Sequence, residues 1–293
     1  MSLLMKIFSL FQSDRRSPAW TYTTHGMIWR ILFSDSGRIF GESRDQEQKR
    51  VSFFCLDAQT GTPLWEGREF EEHWWIGIEA VRDDVALLHE FAKPDLPEHK
   101  RIKALDGSTG NLLWKNDELT YWFGYGTTLY AYKDLFEKRV GYALNVRSGE
   151  ILQTFDDSFE ELRRIRSLAT DEQRQEAFRF PEILDANSVD PLIEAMVRKA
   201  TAGTRVVGEI EYVREQGYLV FNYHVPETDT GTGAPLFSNR LSVIDMQGNK
   251  SVFSAVLAHS VKAFIPDSFF AKLPYLYFIK DQTTLTAVKL WKS

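Results

Sequence analysis

The stretch "FCLDAQTGTPLWEG", Phe54 to Gly67, returns almost unchanged at Lys103 to Lys115 as "KALDGSTGNLLWK" and in worn form at Tyr142 to Phe155 as "YALNVRSGEILQTF". In the first copy an alternating run ends at Leu56-Asp57, a polar segment with Thr60-Gly61 reverses the chain, and Pro63-Leu64-Trp65 starts a new extended run. This order predicts strand, turn, strand. Gly61 can take the positive φ of a tight turn, Asp57 and Thr60 can hold turn amides, and Trp65 offers a large face to a neighbouring sheet. Asp106, Gly110 and Trp114 repeat that spacing, while the third copy substitutes Asn145, Ser148 and Gln153. Two fainter copies follow, "LSVIDMQGNKSVFSAVL" around Asp245 and "TTLTAVKLWKS" at the C-terminal end.

Each strand pair is preceded by two more strand-like runs. These are "MIWRILFS" and "GRIFGES", "WWIGIEAV" and "DVALLHEF", "TYWFGYG" and "TLYAYKDL", "VGEIEYVRE" and "GYLVFNYHV", and "VKAFIPDSF" and "PYLYFIKD". Four short strands repeating at roughly 40 to 50 residues predict an all-β fold, a five-bladed β-propeller of four-stranded antiparallel blades. The fifth unit ends after its third strand, and "PAWTYTT" (Pro18 to Thr24) is the expected outer strand that closes the ring and covers two sheet edges. The expected layout is a tail or short helix at 1–17 and one propeller domain at 18–293.

Between 156 and 203 the alternation stops. Ser158 with Glu161, Thr170 with Gln173, and Asp190-Pro191 are helix-start signals, and Gly203 is a stop, which predicts about three short helices inserted into the propeller. The insertion reads either as a partner-binding arm or as a structural cover, and amphipathic stripes such as Leu162, Ile165, Leu192 and Met196 favour the cover.

The spacing of Asp57, Gly61 and Trp65, and of Asp106, Gly110 and Trp114, resembles the tryptophan-docking repeat of the quinoprotein alcohol dehydrogenase propellers, the PQQ-like repeats. The resemblance implies blade packing. It does not bring the dehydrogenase chemistry, because those enzymes carry a vicinal disulfide beside the cofactor and this chain has one cysteine, Cys55. The implied kin are bacterial propellers without the enzyme's cofactor site, and no cofactor is expected.

The 293 residues carry a formal net charge of -6, which opposes binding to nucleic acid or to anionic lipid. A single cysteine excludes an internal disulfide or a thiolate metal cluster, and the run "VSFFCLD" makes Cys55 a buried small hydrophobe. "MSLLMKIFSLF" is too short to span a bilayer, so a cytoplasmic monomer is expected.

No nucleophile elbow, phosphate loop or metalloprotease helix is present, and "DTGTGAPLF" reads as a strand connector. Three histidines, His25, His73 and His259, each precede an expected inner strand, so a propeller would gather them near one channel mouth. They are the metal-ligand candidates there, against the plainer reading that each hydrogen-bonds the start of its strand. Tyr121 and the indoles of Trp29, Trp74, Trp75 and Trp122 are expected around the same mouth. The resulting expectation is a non-catalytic scaffold or binding protein for an unknown protein or small polar ligand. The alternative is a metal-dependent enzyme or small-ligand binder with a histidine-lined site.

Overall fold

A computed structural model describes residues 16–93, 96–156, 159–174, 178–185, 190–227 and 235–292. The tail before Arg16, Ser158 and most of the "DTGTGAPLF" connector lie outside the described residues. The described chain forms five antiparallel sheets of four or five strands and two helices. It divides into two compact units, 24–176 and 1–23 with 177–293.

The first unit holds three four-stranded meanders. They are β2 (Met27–Phe33), β3 (Arg38–Asp45), β4 (Arg50–Asp57) and β5 (Pro63–Arg68), then β6 (Ile76–Arg82), β7 (Val85–Lys93), β8 (Leu96–Asp106) and β9 (Leu112–Asn116), then β10 (Thr120–Tyr125), β11 (Thr128–Asp134), β12 (Arg139–Asn145) and β13 (Ile151–Phe155).

The repeated phrase explains how these sheets join. Asp57 Oδ1 accepts hydrogen bonds from the amides of Gln59 and Thr60 and from the Thr60 hydroxyl, and the Gly61 amide closes on the Asp57 carbonyl at 2.8 Å. Asp106 repeats all of this with Ser108, Thr109 and Gly110, and Asn145 repeats the amide contacts with Arg147 and Ser148. The tryptophan then reaches the turn of the next copy. Trp65 Nε1 donates to the Gly107 carbonyl at 3.0 Å, and Trp114 Nε1 donates to that of Val146 at 2.9 Å.

The glycine of the receiving turn has two reasons to be glycine. Gly110 has φ +69°, and a Cβ built on it would stand 2.7 Å from Trp65 Cδ2. Gly149 has φ +72° and the same relation to Trp114, at 2.6 Å. The third copy has Gln153 in place of tryptophan. There the sheet is covered by α1 (Phe159–Arg174), whose Leu162 and Ala169 are buried against Phe123, Tyr130, Ala143 and Phe155. Apolar layers between the first and second sheets, including Phe40, Phe53, Cys55, Ile76 and Leu88, and between the second and third complete this unit's core.

The second unit contains a sheet ordered β15-β16-β17-β18-β19, from β15 (Glu182–Ile183), β16 (Val207–Glu215), β17 (Tyr218–Pro226), β18 (Phe237–Asp245) and β19 (Lys250–Val261). The other sheet is ordered β1-β22-β21-β20-β14, from β1 (Trp20–Thr23), β14 (Phe178–Arg179), β20 (Phe269–Lys272), β21 (Tyr275–Lys280) and β22 (Thr284–Lys289). The N-terminal strand thus pairs with the last strand of the chain, Trp20 opposite Ala287 and Thr23 opposite Thr284. Helix α2 (Pro191–Ala200) starts at Asp190, whose side chain accepts from the Leu192 amide, and lays Ile193, Met196 and Val197 on Leu219, Phe221 and Tyr223.

Three expectations are corrected. The insertion forms two helices rather than three among the described residues, because Thr170 does not start a helix: its hydroxyl donates back to the Arg166 carbonyl inside α1. Around Pro181, which disfavours helix for the residue before it, the chain runs extended, and β14 and β15 add a fifth strand to each sheet of the second unit. Finally, "VKAFIPDSF" is not an inner strand: β19 runs on to Val261, and Pro266 with Asp267 at φ +49° delays the next strand to Phe269.

Candidate functional site

The sequence candidates do not form one group. His25 and His73 are exposed residues just ahead of β2 and β6, and the His73 carbonyl accepts the Val51 amide. His259 lies in the other unit, inside β19 rather than before a strand, where its Nδ1 is 3.0 Å from Glu227 Oε1. Among the described residues the group of histidine and carboxylate side chains with metal-ligand proximity is a different one, Glu79, His89 and His99, on three consecutive strands of the second sheet.

Register irregularities place these side chains. Strand β6 slips between Ile78 and Ala80, so Glu79 is the extra residue, and β8 slips against β7 between Lys100 and Lys103, so Arg101 and Ile102 stand opposite His89 alone. A bulge re-aims the side chain that it carries. The bulge at Ile78 is braced from the first sheet: Glu42 Oε2 accepts the Ile78 amide at 2.9 Å and Arg30 donates to the Ile78 carbonyl at 2.6 Å. Arg44, paired with Glu42, donates to the carbonyls of Trp74 and Ile76. Gly77 stands directly across from His89, and a Cβ there would come 3.3 Å from His89 Nε2 and 3.0 Å from Glu42 Oε2. Glycine thus gives the imidazole its seat.

Within the cluster a single oxygen, Glu79 Oε2, lies 2.6 Å from His99 Nδ1 and 2.8 Å from His89 Nδ1. The two imidazoles stack with centroids 3.5 Å apart and planes 9° from parallel. Phe91 meets both rings edge-on at 5.2 Å, and Trp75 backs Phe91. His99 makes a directed hydrogen bond to the carboxylate, whereas the Nδ1 of His89 is close to the oxygen but out of line, and neither ring nitrogen of His89 has a hydrogen-bond partner. The His89 side chain is 5% exposed, Glu79 18% and His99 31%.

The electrostatics are unequal. Burial pushes the His89 imidazole below its usual range, against the pull of Glu79. Burial also opposes ionisation of Glu79, but the two adjacent imidazoles outweigh it and hold the carboxyl at about 2. Glu90, next in sequence, is satisfied separately by Lys103 and Arg101. The ion-pair partners of Glu79 among the described residues are the two imidazoles, and no Lys or Arg neutralises it. Near neutral pH the cluster is a half-enclosed carboxylate beside a neutral imidazole. Tyr121, one of the expected neighbours, senses it: burial raises its phenol to about 12, and the Glu79 charge adds to the shift. Of the expected aromatic wall only Trp75 reaches the cluster, through Phe91. Trp29 and Trp74 flank the Arg44 guanidinium, and Trp122 lies beneath Arg166.

A model described as "Domain of unknown function (DUF4905)" matches residues 33–114, a span that includes both intact copies of the repeat and all three cluster residues. The search of curated proteins finds no match. Among solved structures, a member of the duf4221 family from Bacteroides vulgatus is 7% identical at TM-score 0.33, covering 94% of this chain and 97% of its own. The Dos1 propeller is 10% identical at TM-score 0.29, covering 91% and 68%. The β-propeller domain of the trilobed protease from Pyrococcus furiosus is 8% identical at TM-score 0.30, covering 90% and 71%. No helix among the described residues is long and apolar enough to cross a membrane.

Proposed function

We propose that the five sheets are the blades of a five-bladed β-propeller of the PQQ-like kind, and that the protein is a non-catalytic binding module of the bacterial cytoplasm whose ligand site is the Glu79, His89 and His99 cluster. The docking of Trp65 and Trp114 onto the following turn supports the blade reading, as does the pairing of β1 with β22. The binding reading rests on one observation: the His89 imidazole is buried with Nε2 lacking a hydrogen-bond partner and Nδ1 set 2.8 Å from the Glu79 carboxylate without a directed bond. Such a group costs stability in proportion to its lost hydration, and proteins keep it where a site needs it.

His89→Leu fills similar volume without buried polar nitrogens and should stabilise the ligand-free protein at neutral pH by about 1 to 2 kcal/mol in chemical denaturation. A clear loss of stability would mean that the imidazole is structural, and the proposal would fail.

A further inference from the structure

We infer that the cluster binds one divalent transition-metal ion of the zinc class, held by the Glu79 carboxylate and the Nδ1 atoms of His89 and His99. The inference rests on the cluster being a binding site and names its ligand. The donor set of two imidazoles and one carboxylate suits borderline cations such as Zn²⁺ and Co²⁺ rather than Mg²⁺ or Ca²⁺, which take mostly oxygen. The charge also fits, because Glu79 has no Lys or Arg partner among the described residues and a cation would supply the missing countercharge.

Geometry sets what must move. Ligand atoms about 2.0 to 2.1 Å from a tetrahedral ion are about 3.3 Å apart. The present separations of 2.6 and 2.8 Å must therefore open by less than 1 Å. Parallel rings also send their lone pairs along parallel lines, so one imidazole has to turn toward the other. His99, 31% exposed, is the ring free to do so, while His89 is fixed on Gly77 with its other nitrogen on the side of Glu42. Three protein ligands leave the fourth position to solvent or a small molecule.

The test is a titration of untagged protein with cobalt(II) chloride, followed by its visible absorption, with zinc chloride as competitor. One equivalent of Co²⁺ should give intensified bands, Zn²⁺ should abolish them, and Mg²⁺ and Ca²⁺ should not. Glu79→Gln and His99→Ala, checked for folding by circular dichroism, should weaken binding at least tenfold, and a His25→Ala, His73→Ala, His259→Ala triple variant should keep one equivalent. Absence of a band in the parent, or parent-like titration of the first two variants, overturns the inference. If a variant does not fold, the zinc-dependent rise in the parent's melting temperature decides, and no rise overturns it. Stabilisation by His89→Leu without any metal uptake would leave the binding site standing and remove only the metal.

Discussion

Replacing Gly110 by alanine probes the contact through which one repeat is joined to the next. The residue has φ +69°, so any side chain pays the left-handed penalty, and the new methyl would lie 2.7 Å from Trp65 Cδ2 and 2.9 Å from Cε3, which forces the indole to shift. The backbone penalty is about 1 to 2 kcal/mol and overpacking against a buried ring about 1 to 3, so Gly110→Ala should destabilise by about 2 to 5 kcal/mol. Trp65→Ala alone should cost about 3 to 5 kcal/mol, since the ring is buried and its Nε1 hydrogen bond is lost. In the Trp65→Ala background the clash is absent, and Gly110→Ala should cost only the backbone penalty. The pair should thus fall short of additivity by about 1 to 3 kcal/mol. Gly37→Ala is the control, because Gly37 has φ +79° and nothing within 4 Å of its virtual Cβ. Urea denaturation followed by far-ultraviolet circular dichroism, with m-values compared, reads the parent and all four variants. Strict additivity, or equal costs for Gly110→Ala and Gly37→Ala, would refute docking as the role of the repeat.

Other predictions follow from single residues. Cys55 is fully buried, and burial pushes its thiol up to about 12, so the native protein should not react with thiol reagents that label it at once in denaturant. Asp84 is opposed by burial, but hydrogen bonds from Ser36 and Ser34 and the charges of Arg38 and Arg147 hold its pKa below the usual value. A depressed carboxyl adds stability that is present above its unfolded pKa and fades as pH falls toward the folded one, so Asp84→Asn should destabilise at neutral pH and lose that effect in acid. Parallel pH profiles for the parent and Asp84→Asn would contradict this.

The sheets were legible in the sequence wherever local chemistry dictated the backbone. Asp57, Gly61 and Trp65 each have a conformational or packing task that no other residue type performs as well, and repetition at Asp106, Gly110 and Trp114 marked the same unit twice. The second unit was less legible because Gly248 and Phe253 carry weaker versions of these tasks, and because β14 and β15 become strands only by pairing with β20 and β16.

The cluster was missed for a physical reason. Strand starts point to His25, His73 and His259, whereas Glu79 owes its direction to a bulge in β6, and His89 faces another in β8, neither of which alternation reveals. One signal was available: the polar pair His89-Glu90 interrupts the apolar run "VALLHEF", and a polar group in a buried strand needs a partner or a purpose.

Whether the cluster holds a transition-metal ion is tested most directly by a crystal structure of the protein grown with Co²⁺, with anomalous scattering measured at the cobalt edge. The prediction is one strong peak bonded to Glu79 and to the Nδ1 atoms of His89 and His99, with the His99 ring turned out of its parallel stack. A cluster unchanged from its 3.5 Å stacked arrangement, with cobalt bound only at exposed histidines such as His25, His73 or His259, would contradict it.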